Sequence, residues 1–220
     1  MLQPGPDSPT ARTTPSRHAD RASYAIDSAR AILADALVGH LGVLGPDGWP
    51  VVLPVAVAPD GDRVLMHGST GSRMFRSLAG GAPACLTVTH IDGLVLARSA
   101  FESSMNYRSL VVLGTAESLD GAEKEVALHT LSDHLAPGRW DLLRPMRAKE
   151  VAATTVLALP LSEFSIKSRA GGPADPEDAD WPVWSGQLPI GMFAGALIPE
   201  PGSADRPEPQ PPTGINPRGV

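Results

Sequence analysis

The sequence predicts a mainly β protein, an antiparallel barrel of six to seven short strands with flanking helices, and three observations carry that expectation. Short apolar runs such as Val51–Ala58, Ala84–His90 and Thr154–Leu159 recur along the chain at strand length. Gly, Pro and Asp clusters punctuate them, as in Gly45-Pro46-Asp47-Gly48 and Pro59-Asp60-Gly61-Asp62, which are hairpin-loop compositions. Helical periodicity is confined to a few stretches, so helices can only flank the sheet.

In chain order, residues 1–20 are rich in Pro, Ser, Thr and Arg, and residues 199–220 hold seven prolines with almost no large apolar side chains. Neither end can bury enough surface to offset the entropy of ordering, so both are expected to be mobile tails around a folded domain at 21–198. Asp27 is a candidate N-cap for a helix through about Leu37, with Ile26, Leu33 and Leu37 near one face. Strands at Leu41–Leu44, Val51–Ala58 and Val64–His67 then form a meander. Met74–Ala79 reads as a short helix stopped by Gly80-Gly81. Ala84–His90 and Leu94–Ala97 flank an Asp92-Gly93 turn, and a long strand follows at Asn106–Glu117. Asp120 with Glu123 has the form of a capping box for a helix bearing Leu128, Leu131 and Leu135, which ends at Pro137-Gly138. Thr154–Leu159 is the last core strand.

Composition narrows the function. The net charge is −6 and the pI about 5.5, which argues against nucleic acid, since phosphate neutralisation needs a basic face. No apolar run approaches the ~20 residues of a membrane span, and residues 1–20 lack the apolar region of a secretory signal. The single Cys85 lies in an apolar run, is expected to be a small core residue, and suits a reducing cytoplasm. His40, His90, His129 and His134 show no zinc-ligand spacing, so no structural metal is expected. No Gly-rich dinucleotide fingerprint, GxSxG elbow or Cys–His pair is present, so difficult chemistry would have to come from a cofactor.

Two segments mix polar groups into apolar surroundings. His67-Gly68-Ser69-Thr70-Gly71-Ser72-Arg73 joins a strand to a helix start, where free N–H groups, hydroxyls and a guanidinium favour a phosphate. The competing interpretation is a capped helix with a solvated arginine. Ser104–Gly114 opens a strand on Met105, Tyr107 and Ser109 along one face and Asn106 and Arg108 along the other. That mixture suits polar docking, although Arg108 as an edge charge and Tyr107 as core remain open.

Several long motifs occur in one order: HGSTGSR at 67–73, DGLVLARSAF at 92–101, SMNYRSLVVLG at 104–114, EKEVAL at 123–128, HLAPGRW at 134–140 and WSGQLP at 184–189. Together they resemble the FMN-binding split β-barrel superfamily typified by pyridoxamine 5′-phosphate oxidase. The nearest branch is the flavin-nucleotide-binding one related to nitroimidazole-resistance reductases, and the resemblance spans about residues 24–190. It implies a homodimer with two FMN sites at its interface. The phosphate would sit on Ser69, Ser72, Arg73 and Arg108. Leu53, Pro54 and Val55 would approach the flavin ring by their main chain, with Gly68, Tyr107 and Ser109 alongside and Trp184 as a ring-edge wall. Met74 stands where the oxidase has Lys, so Arg108, Lys167 or Arg169 would supply the missing charge. The implied activity is FMN-dependent oxidoreduction of a small aromatic, nitro or quinone-like molecule, with His67 or Glu102 as proton donor. Glu102-Ser103 replaces the branch's usual His pair. Lys167-Ser168-Arg169 replaces the oxidase's Arg-x-His, which disfavours pyridoxamine phosphate oxidation itself. A non-catalytic flavin reservoir or sensor, and a haem- or deazaflavin-binding barrel, are the alternatives.

Overall fold

The computed structural model describes residues 9–203, 206–212 and 215–217. Its strands are β1 (Ala22–Ser23), β2 (Val38–Leu44), β3 (Pro50–Asp60), β4 (Arg63–Ser69), β5 (Pro83–Leu96), β6 (Ser104–Thr115), β7 (Glu117–Leu119), β8 (Thr154–Pro160), β9 (Phe164–Arg169), β10 (Gly186–Pro189), β11 (Phe193–Ala194) and β12 (Asn216–Pro217). The α-helices are α1 (Ile26–Ala34), α2 (Arg73–Ala79), α3 (Gly121–Leu135) and α4 (Ala148–Ala153). The main sheet runs β1-β9-β6-β5-β2-β3-β4-β8-β7, with β10 added to β5. Its pairings are antiparallel, as the hairpin signals require. Because β8 lies near one end of this order and β9 near the other, the short turn between them closes the sheet on itself. The expected barrel class is therefore found.

Inside the barrel, alternate residues of the strands meet the buried faces of two helices. Leu33 and Ile32 of α1, and Met74, Phe75 and Leu78 of α2, join Leu41, Val57, Met66, Leu86, Leu110, Val112 and Phe164 in one cluster. A second cluster sits outside, where Ala127, Leu128 and Leu131 of α3 cover Leu65, Val156 and Ala158. Full burial of such side chains stabilises by about 1.5–3 kcal/mol each.

Local details differ from the sequence expectations for identifiable reasons. Helix α1 begins one residue ahead of Asp27 and is capped by Ala25, because Asp27 is drawn to Arg30 at 2.7 Å. Asp120 makes no side-chain cap bond at α3, and Glu123 accepts instead from Arg63 at 2.8 Å. Asp92-Gly93 is not a turn: β5 runs through it with a register shift between Ile91 and Gly93. Gly93 is needed there since a Cβ would lie 3.0 Å from the Leu188 carbonyl oxygen of β10. Cys85 is half-buried rather than core, because its register with Gly42 and Leu113 belongs to the outer face. Near the N-terminus, Thr10 and Arg12 bond Glu163, and Tyr24 donates to the Thr13 carbonyl at 3.2 Å. At the other end, Leu197, Ile198, Pro199 and Arg206–Pro209 share a groove with Ala136, Arg139 and Leu142.

Candidate functional site

The barrel is open between β3 and β4. Strand β3 pairs with β2 over Pro50–Ala56 but meets β4 only over Val57–Asp60. The end of β4, His67–Ser69, turns to β8 instead. Main-chain groups of Leu53, Pro54 and Val55 therefore border an edge with no second strand among the described residues. Backbone N–H and C=O groups left this way need partners, and a planar heterocycle with ring nitrogens and oxygens is a suitable one.

A groove of 440 Å³ lies beside that edge. The β2–β3 hairpin supplies Val43, Val51 and Leu53, and the start of α2 supplies Ser72, Arg73 and Ser77. The turn ahead of α2 is locked by its own hydroxyls. Ser69 Oγ accepts from Gly71 N at 3.1 Å, and Ser72 Oγ accepts from Phe75 N at 3.4 Å. Each hydroxyl used as an acceptor keeps its O–H free to donate, which is the polarity a phosphate needs. Arg73 is exposed and has no ion-pair partner among the described residues. At seven residues α2 is only two turns long, so the case for an anion rests on these side chains more than on the helix dipole. Gly68 has a steric reason: a Cβ there would sit 2.6 Å from ring carbons of Phe75, which anchors α2 in the core.

His67 lies on the outer face of β4, opposite Val156. Its ring reaches solvent at the surface, yet the surrounding protein desolvates it enough to push its pKa below the usual 6.5. At neutral pH it is a neutral imidazole.

Other expected site residues lie elsewhere. Arg108 does not join the groove; it turns to the inner face, where its guanidinium meets Asp92 at 3.0 Å and Asp35 at 2.9 Å. Those hydrogen bonds raise its pKa further. Tyr107, Ser109 and Lys167 are half-buried on the outer face, where Ser109 Oγ donates to the Lys167 carbonyl at 3.1 Å. Arg169 spends its guanidinium on the Asn106 side chain and the carbonyls of Gly171 and Gly172. Glu102 is half-buried in the β5–β6 loop, its N–H bonded to Ser99 Oγ. Trp184 is exposed and folds over Gly186, where a Cβ would be 2.8 Å from the indole. Thus Leu53, Ser72 and Arg73 share the groove, next to the His67–Ser69 turn, whereas Trp184 leads into β10 at the far end of β5.

Sequence reasoning passed over Asn106, which is buried and bridges Arg169 and Gln187. Its place among the polar residues opening β6 was the available signal.

The sequence model of a family described as pyridoxamine 5′-phosphate oxidase matches residues 26–168. Among solved structures, the flavocytochrome Anf3 from Azotobacter vinelandii is 40% identical over 96% of this chain and 97% of its own, with a TM-score of 0.82. The FAD and haem binding protein from Mycobacterium smegmatis is 38% identical over 86% of this chain and 94% of its own, with a TM-score of 0.81. A proposed 5-nitroimidazole antibiotic resistance protein from Bacteroides thetaiotaomicron shares the fold at 20% identity and a TM-score of 0.53, over 62% of this chain and 80% of its own. No curated protein matches the sequence.

Proposed function

Since the chain belongs to the pyridoxamine 5′-phosphate oxidase family, we propose that it is a flavin-dependent oxidoreductase acting, as a homodimer, on a small aromatic, nitro or quinone-like molecule. The observation that carries this is Arg73, without an ion-pair partner among the described residues, beside Ser72 in a groove whose other wall, at Leu53, leads to the open edge of β3. Bound flavin supplies reversible one- and two-electron transfer. The protein's part is to hold the phosphate with Arg73, Ser69 and Ser72, to bond the ring through the main chain of Leu53–Val55, and to exclude water with apolar walls. His67, neutral at pH 7, is suited to accept a proton at its unbonded ring nitrogen and return it.

Two features favour a dimer. The groove lies beyond the Pro83 end of β5 and Trp184 beside its Leu96 end, about 40 Å apart along the strand at ~3.3 Å per residue. Trp184 as a wall of the groove would then have to come from a second copy of the chain. The outer face of β2, β3 and β5 also exposes Val38, Val52 and Ile91.

The relative from M. smegmatis is described as binding FAD and haem, and that from A. vinelandii as a flavocytochrome, which supports FAD over FMN and haem as a proposed second ligand of this chain. The residues offer a fit. His90 bonds the Ile32 carbonyl, His134 the Ala36 carbonyl and His129 the Asp133 carboxylate, whereas His40 and His67 keep both ring nitrogens unbonded among the described residues. Haem iron takes one ring nitrogen that is free of other bonds, and each of these two side chains has one to offer.

Titration of the apo-protein with FMN, FAD and haemin tests these assignments. Arg73→Ala should weaken flavin binding by roughly a hundredfold, the value of about 2–3 kcal/mol for a charge-assisted phosphate contact. Unchanged flavin affinity in that variant would refute the phosphate site. A Soret band abolished by His40→Ala or His67→Ala identifies the iron ligand; no Soret band in the wild type removes haem.

A further inference from the structure

Residues 170–185 form a long connection without strands of its own, yet it is fastened at three points. Asp175, 7% exposed, accepts from Arg98 N at 2.6 Å and from Arg98 Nη1 at 3.3 Å. Arg169 Nη1 and Nη2 donate to the carbonyls of Gly171 and Gly172 at 3.0 and 2.9 Å. Beyond the connection, β10 adds to the end of β5 in register Gly186↔Leu96 to Pro189↔Gly93.

Asn106 joins these fastenings. It is 8% exposed, its Oδ1 accepts from Arg169 Nη1 at 2.6 Å, and its Nδ2 donates to Gln187 Oε1 at 2.7 Å. One amide thus uses both of its ends, the first on the residue that begins the connection and the second on the strand that ends it. A leucine would keep the volume and satisfy neither, leaving the half-buried Arg169 guanidinium and the Gln187 side chain without their partner on β6. Trp184 sits two residues before Gly186, with its indole laid across that glycine's backbone. Wherever β10 is held, the indole is held.

We propose that Asn106 is a positioning residue for the flavin site: with Arg169 and Gln187 it locks β10 to the β5–β6 hairpin and so presents Trp184 as a fixed wall. This rests on the flavin function proposed above. It also gives Arg169 a part through Asn106 rather than through the phosphate, and gives Gly186 its purpose as the seat of the indole.

The test uses the full-length apo-protein with FAD, read by flavin fluorescence and by chymotryptic cleavage after Trp184, whose next residue is Ser185. Asn106→Leu and Gln187→Leu should each weaken FAD binding about tenfold and speed cleavage of the unliganded protein. Gln187 is exposed, so its variant keeps the fold even where Asn106→Leu does not. Combined with Trp184→Leu, neither should weaken binding further. Independent, additive losses in the double variants would overturn the proposal, as would cleavage and binding unchanged in Gln187→Leu. If Trp184→Leu binds FAD normally while Arg73→Ala does not, the flavin site stands and the proposal falls. If both bind normally, the flavin site itself is refuted.

Discussion

At the scale of single residues, His67 shows how a fold sets protonation. The unfolded chain titrates it near the ordinary 6.5, and the folded chain holds it lower by desolvation. Between those values the unfolded state binds more protons, so stability is complete above pH 6.5 and is lost as pH falls toward the folded value. His67→Gln should remove that part of the pH dependence. Denaturation midpoints measured near pH 7.5 and near pH 5.5 check it, the wild type losing more than the variant. Glu150 runs the same way for a different reason: Arg144 and the Arg147 N–H hold its carboxyl down to about 2, so its contribution is complete above the usual carboxylate range and is lost as pH falls from there toward that value. Of the candidate residues, the grouping of Ser69, Ser72 and Arg73 was legible because it is local to one turn. Asn106 was not, as its partners lie 63 and 81 residues away and only the fold brings them together. Arg108 misled for the same reason, since nothing near it in sequence announces Asp35, 73 residues distant.

Elements were read more reliably where turn chemistry fixes both ends. The β2–β3 hairpin closes at Gly45–Gly48, with Gly48 at a φ of 80°, and its register follows from that loop. Short β10 carries too few residues for a periodic signal and exists because β5 offers it an edge. For α2, the expected consequence of the Gly68–Phe75 contact is specific. Gly68→Ala should push Phe75 out of place, cost about 1–3 kcal/mol as overpacking does, and move Arg73 with the helix. Calorimetry and flavin titration together should show a lower melting temperature and weaker binding. The compensating Phe75→Leu should recover part of both.

For the molecule as a whole, closure of the barrel through the β8–β9 turn follows from the order of strands, and the antiparallel class was visible in the alternation of apolar runs and turns. The proposed dimer would form on the outer face. Val52 lies opposite Gly42 on that face and is 59% exposed. Val52→Asp should convert a sedimenting dimer to monomers and release flavin with it, because each site would lose its second wall. A monomer that retains flavin at full affinity would contradict this.

The gap between β3 and β4 also bears on how the chain survives before it meets its ligand. A strand edge with unpaired amides and carbonyls is a template for any extended peptide, including the same segment of another unfinished chain. Pro50 and Pro54 interrupt that edge with residues that offer no N–H, and so blunt its capacity to recruit strands. Molecules made faster than they are filled should therefore precipitate in proportion to the unfilled fraction. Flavin supplied during synthesis would act as a solubilising agent, and Pro54→Val would make that dependence steeper.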